Sequence, residues 1–211
     1  MNCPNCGAAM ELVESRRYFR CAHCGTFHFP DGVEADGIRI VGAAPAAPTC
    51  PVCTDAMAHA LLDNDYPIDF CVRCRGVLLP RSTFAVVILK RRAWATSPHA
   101  DPVPLDRREL ERQLACPKCG GRFETYPHYG PGTVVIDSCA NCDLIWLDFG
   151  EMRRIVDAPG ADRGSRHVPR IDEEFVRQGW RRDADDEDEE WIRRRRSNDP
   201  LAFLVDVLFN D

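Results

Sequence analysis

The chain has 211 residues, 45% of them hydrophobic and 28% charged, with a formal charge of −6; these are the proportions of an ordinary water-soluble protein of one or two domains. Twelve cysteines argue against one large apolar core, because the apolar runs are short and broken by cysteine pairs, prolines and charges. The longest run, Phe84 to Leu89, stops at Lys90-Arg91-Arg92, well short of the about 20 apolar residues a membrane span needs, so no membrane association is expected.

Every cysteine belongs to a Cys-x-x-Cys pair, and the six pairs match into three units. The first, residues 1–30, carries Cys3/Cys6 and Cys21/Cys24, with 14 residues between the inner cysteines and a turn expected at Ser15-Arg16-Arg17. Met1-Asn2-Cys3-Pro4 opens directly on a pair, with no basic and then apolar leader, so a reducing cytoplasm is the expected location. Residues 31–49 read as a linker, because Gly42-Ala43-Ala44-Pro45-Ala46-Ala47-Pro48 resists both helix and ladder.

The second unit, residues 50–92, pairs Cys50/Cys53 with Cys71/Cys74 across 17 residues and a turn at Asp63-Asn64-Asp65. A helix is expected from Thr83 to Arg92, with Ser82 ahead of it. The connector, 93–115, holds a second expected helix over 105–114; its stripe of Leu105, Leu110 and Leu114 could join units two and three into one compact tandem. The third unit, residues 116–157, pairs Cys116/Cys119 with Cys139/Cys142 across 19 residues and a turn at Gly130-Pro131-Gly132. Asp148 followed by Glu151 is a capping-box variant, so Asp148 is expected to cap a short helix.

Residues 158–198 are polar and charged and are expected to be disordered; seven acids between Asp183 and Glu190 leave the rest of the chain at +1, and Arg193 to Arg196 follow. The last segment, 199–211, changes character. Pro200 suits a first helical turn, and Leu201, Leu204, Val205 and Leu208 fall at i, i+3, i+4 and i+7. This apolar helix is expected either to fold back on the ribbons or to dock on a protein partner.

In a reducing compartment, paired cysteines at this spacing are metal ligands rather than disulfide partners. Two such turns brought together by a hairpin point four sulfurs at one centre, completing a tetrahedron with Zn–S bonds of about 2.3 Å. The fold class that follows is a set of small metal-stapled β-rich modules, three tandem four-cysteine zinc ribbons with short helices after the second and third. Three zinc ions are expected. Iron is the lesser alternative, since tetrahedral four-sulfur sites also take it and Cys-Pro-x-Cys turns resemble rubredoxin knuckles. Redox-active dithiols and iron–sulfur clusters explain six matched pairs less well. Each loaded site carries about −2, so the metal-bound chain is more acidic than its composition, which disfavours broad capture of phosphate backbones.

Units two and three share more than cysteines. Ile68-Asp69-Phe70-Cys71 aligns with Ile136-Asp137-Ser138-Cys139, and Val77-Leu78-Leu79 aligns with Ile145-Trp146-Leu147, which makes them copies of one unit. Through Cys116, Pro117, Cys119, Ile136, Asp137, Cys139, Cys142, Trp146, Leu147, Asp148, Gly150 and Glu151, the third resembles the bacterial-type transcription factor zinc-finger domain, a zinc ribbon related to that of general transcription factor IIB. The family's Gly-Gly is Asp143-Leu144 here. The second unit resembles the same family through Cys50, Pro51, Cys53, Ile68, Asp69, Cys71, Cys74 and Gly76, but has Leu78 for the tryptophan and Pro80 for the aspartate. The first resembles only a generic ribbon. The resemblance implies zinc binding and does not by itself imply a role in transcription.

Around the metals, Trp146 and Leu147 are expected to pack on their hairpin, and Asp69 and Asp137 to hydrogen-bond knuckle or turn backbone. His23 and His28 are bystanders to sites already holding four cysteines. Arg16, Arg17 and Arg20, or Lys90-Arg91-Arg92, could meet phosphates, but no aromatics interleave them to stack bases. With no open metal position, catalysis is not expected. The sequence therefore points to a non-enzymatic zinc-ribbon scaffold that binds protein partners through ribbon faces or the last segment. A nucleic-acid-associated protein and a thiolate-based redox or metal-responsive factor are the alternatives.

Overall fold

The computed structural model describes residues 1–43, 47–101, 104–128 and 134–166. The chain divides into two units, Met1–Pro169 and Arg170–Asp211, and every described residue lies in the first. The expected turn at 130–132, the acidic and arginine runs and the C-terminal helix with Leu201, Leu204, Val205 and Leu208 fall outside the described residues.

The first ribbon is a three-stranded antiparallel sheet of β1 (Glu11–Val13), β2 (Tyr18–Arg20) and β3 (Phe27–His28). Its own core is only Cys3, Met10 and Cys21, with Ala8, Phe19 and Cys24 against them, too little apolar surface to hold a fold without a further staple. The turn between β1 and β2 falls on the expected residues, with Arg17 in the left-handed region at φ 54°.

The second and third ribbons are not separate beads. They share one seven-stranded antiparallel sheet, ordered β4 (Ile38–Ala43), β5 (Ala58–Leu62), β6 (Tyr66–Phe70), β7 (Val77–Pro80), β10 (Leu144–Leu147), β9 (Val135–Cys139) and β8 (Glu124–Pro127). The two ribbons meet edge to edge at β7 and β10, where Leu78 stands opposite Trp146, Val77 opposite Leu147 and Leu79 opposite Ile145. Joining the open edges of two three-stranded ribbons satisfies a row of backbone groups that each alone would expose. The linker reading of 31–49 needs correction: residues 38–43 form β4, paired to β5 with a bulge between Ile40 and Gly42. Ile38 enters the main core there.

Strand alternation divides the sheet's apolar residues between two faces. Ala60, Leu62, Ile68, Phe70, Val77, Leu79, Ile136, Ile145 and Leu147 point to one face and pack under α1 (Arg81–Trp94) and α3 (Glu151–Asp157) through Phe84, Val87, Ile88 and Ile155. Leu78 and Trp146 point to the other, where they join the cysteines of sites two and three. Helix α1 begins before Ser82, with Pro80 at its cap, because proline's fixed φ of −60° leads into the first turn. Its Arg92 is buried: the guanidinium donates to the carbonyls of Ile155 (2.6 Å) and Ala158 (2.9 Å) and pairs with Asp162, so it satisfies the open carbonyls at the end of α3. The connector helix is a single turn, α2 (Arg107–Leu110), capped by Asp106 accepting from the Arg108 N–H at 3.0 Å; three leucines spread over ten residues do not sustain a longer one.

Candidate metal centres and their buried charge network

Each of the six knuckles is closed in the same way. The residue after the second cysteine adopts a left-handed conformation: Gly7, Gly25, Thr54, Arg75, Gly120 and Asp143 have φ between 53° and 76°. In five of them its N–H is bonded to the carbonyl of the first cysteine, as in Gly7 to Cys3 (2.9 Å) and Arg75 to Cys71 (2.8 Å). The turn at the Asp143-Leu144 departure therefore forms without glycine, since aspartate tolerates this region better than most side chains.

This geometry gathers the twelve cysteines into the three sets expected from their spacing: Cys3, Cys6, Cys21 and Cys24; Cys50, Cys53, Cys71 and Cys74; and Cys116, Cys119, Cys139 and Cys142. Within each set every Sγ lies within 4.8 Å of the others. Across the hairpins, Cys3 and Cys24 are 3.5 Å apart, Cys50 and Cys74 3.6 Å, and Cys119 and Cys139 3.6 Å. Four sulfurs about 2.3 Å from a central ion in a tetrahedron stand about 3.8 Å from one another, so the cages have the size a zinc ion requires.

Their electrostatics also call for a cation. Hydrogen bonds from Cys50 and Cys74 hold the Cys71 thiol well below its usual range, while the same contact with Cys71 pushes Cys50 up. In the first site, hydrogen bonds from Thr26 bring Cys24 down to about 5, and Cys6 is pushed up to about 12. Thiolates packed this closely repel one another, and only a central positive charge lets all four ionise. The second cage is the most enclosed, with Cys53 alone half-buried, whereas Cys6 in the first and Cys119 in the third reach solvent.

Beside the third cage lies a charge network that spacing alone does not reveal. Asp148 does not cap α3 with its side chain; Gly150 holds that position, with φ of 85°. Half of the capping box is present, since Glu151 Oε2 accepts the Asp148 N–H at 2.8 Å. The Asp148 carboxylate instead accepts from Trp146 Nε1 (3.0 Å), from Arg112 and from Arg16 Nη1 (2.9 Å). Arg16, at the tip of the first ribbon, also donates to Glu151 Oε1 (2.8 Å) and to Glu109. Arg112 continues the chain to Asp137, which accepts in turn from Thr125 Oγ1 at 2.5 Å. Asp69, at the equivalent place in unit two, is paired with His59 Nδ1 at 2.8 Å. The partners of both aspartates are thus side chains, His59 and Thr125 on the neighbouring strands and Arg112 from the connector, rather than the turn backbone expected from sequence.

Around Arg16, Tyr18 and Phe29 lie against Phe149, with ring centroids 5.9 and 4.6 Å apart, and the Arg75 guanidinium sits 4.3 Å over Phe29. The first ribbon is thereby docked on the tandem sheet by one buried arginine in a ring of carboxylates and a small aromatic cluster.

Burial alone would raise the Asp148 carboxyl, but Arg16 and Arg112 overcome it and hold the group below its usual range. For Glu151 the balance goes the other way. Burial and the neighbouring Asp148 charge push it well above the usual range, and Arg16 only partly opposes them. A carboxyl raised on folding favours the native state most below the unfolded value near 4.3, and that contribution is lost as pH rises through the folded value. The variant E151Q, measured by urea denaturation from pH 5 to 8, is therefore expected to lose less stability with rising pH than the parent; an unchanged slope would mean that Glu151 titrates as an ordinary carboxylate.

Four of the six basic residues nominated for phosphate contact are engaged within the fold, and Arg17 and Arg20 are exposed. Arg16 is buried, Lys90 donates to the Tyr66 hydroxyl at 2.5 Å, Arg91 pairs with Asp63 at 2.7 Å and Arg92 holds the end of α3. Arg17 is 3.6 Å from Asp31, and Arg20 lies 5.8 Å over Phe27. Among the described residues no helix is long and apolar enough to cross a membrane.

No curated protein and no solved structure matches the chain. The family model of the transcription factor zinc-finger matches it twice, over residues 49–88 and 115–158, the two segments that build the shared sheet and the second and third cages. The second and third units thus each match the transcription factor zinc-finger, a zinc ribbon of the general transcription factor IIB type, and are joined through their last strands.

Proposed function

We propose that the protein is a non-enzymatic zinc-bound scaffold, holding three zinc ions and presenting its ribbon faces and the apolar segment 199–211 to a protein partner. The observation that carries this reading is the closure of the cages. Each offers four cysteine sulfurs, so a tetrahedral zinc ion held there has no position left for a water or a substrate, and its part is to staple the hairpins. The engagement of Arg16, Lys90, Arg91 and Arg92 inside the fold supports protein partners over phosphate backbones. The segment 199–211 contributes an apolar stripe of Leu201, Leu204, Val205 and Leu208, suited to a groove on another protein.

The test is an affinity pull-down of the full chain against one lacking residues 199–211, with metal content measured on both. About three zinc ions on each, and a co-purifying protein lost on truncation, support the scaffold and its tail. Interactors unchanged by truncation remove the tail from the interface. Salt-dependent retention on a nucleic-acid column favours nucleic-acid association instead, and zinc release under mild oxidation favours a responsive factor.

A further inference from the structure

The shared sheet has an approximate twofold axis through the Leu78–Trp146 pair. These residues hold equivalent places, each four beyond the last cysteine of its unit, and the flanking pairs Val77–Leu147 and Leu79–Ile145 exchange under the same rotation. Two residues beyond the last cysteine the units differ: Gly76 in unit two and Leu144 in unit three. A Cβ added to Gly76 would stand 2.2 and 2.3 Å from Cζ2 and Cη2 of Trp146, so the indole fills the space a side chain at 76 would need. On the other side of the axis the corresponding residues are Leu144 and Leu78, which border the same apolar cluster.

We infer that the β7–β10 seam is a selective pairing surface, in which Gly76 receives Trp146 and Leu144 receives Leu78, so that the second ribbon fits the third and neither fits a copy of itself. Two third ribbons would drive each indole into a leucine. Two second ribbons would leave glycine facing leucine on both sides, with voids where the indole now packs. Interiors at crystal-like density tolerate neither the overlap nor the gap.

Substitutions in the full chain reproduce each forbidden contact. Leu78→Trp places an indole against Leu144, Gly76→Leu places a leucine against Trp146, and Trp146→Leu creates the void. Each is expected to lower the melting temperature by on the order of 10 °C. The double variants Leu78→Trp/Leu144→Gly and Gly76→Leu/Trp146→Leu restore a matched pair and are expected to recover at least half of the loss, or to fold where a single variant does not. Double variants no more stable than their worse single parent would overturn the pairing rule, as would a Leu78→Trp chain as stable as the wild type.

Discussion

Replacing Arg16 with alanine is expected to release the first ribbon from the tandem sheet and lower the stability of the assembly by about 3–5 kcal/mol, the usual cost of removing one partner from a buried ionic cluster. Arg16 faces Glu109, Asp148 and Glu151, and the latter two are almost wholly enclosed. Without the guanidinium, Asp148 keeps Trp146 Nε1 and an Arg112 already shared with Asp137, while Glu151 keeps only the neutral Asp148 N–H among its hydrogen bonds described above. Lysine does not restore the contact, because a single ammonium cannot span three carboxylates as the planar guanidinium does. The measurement is thermal denaturation combined with limited proteolysis between Phe29 and Ile38, where cleavage should accelerate once the ribbon undocks. Unchanged proteolysis and melting in R16A would mean that the aromatic cluster of Tyr18, Phe29 and Phe149 holds the ribbon alone.

Loss of one metal site is expected to have very different consequences depending on which site is lost. In C21S the first ribbon should lose its metal and unfold, leaving two ions per chain and the seven-stranded sheet intact, because its strands form a sheet of their own. In C71S the damage should spread. Cys71 shares a cluster with Leu78, Trp146 and Cys139, so the second cage lies under the seam joining both ribbons. Structural zinc contributes roughly 10–16 kcal/mol of apparent binding free energy in small peptides, as much as or more than an ordinary domain's stability of about 5–15 kcal/mol, so the sheet should not survive the loss. Elemental analysis and far-ultraviolet circular dichroism read both outcomes. A C71S chain with two ions and native strand signal would show that the ribbons are energetically independent.

The cysteine spacing alone was enough to assign all twelve cysteines to three sets, because a Cys-x-x-Cys turn and a hairpin are local geometry. The same holds for the turns at 15–17 and 63–65 and for a helix after each of the last two units. What local pattern did not reveal lies between modules. The strand at Ile38–Ala43 follows Gly37, contains Gly42 and leads into an Ala-Pro tract; its short Ile38-Arg39-Ile40 alternation becomes a strand because β5 offers it a partner. Asp148 has the spacing of a helix cap, yet its carboxylate is taken by Arg16, which lies 132 residues earlier in the chain. Leu144 looks like a lapse from a glycine pattern until Leu78 is seen across the seam, where no large ring needs the room.

Sequence by itself thus determined the metal cages and the identity of two ribbons, since those depend on residues a few positions apart and on the valence of sulfur. Only the tertiary structure decided that the second and third ribbons are one sheet, that the first is latched to it by a buried arginine and an aromatic cluster, and that Arg16, Lys90, Arg91 and Arg92 are engaged inside the fold. Edge pairing, charge burial and steric fit are relations between surfaces, and the order of residues along the chain does not state which surfaces meet.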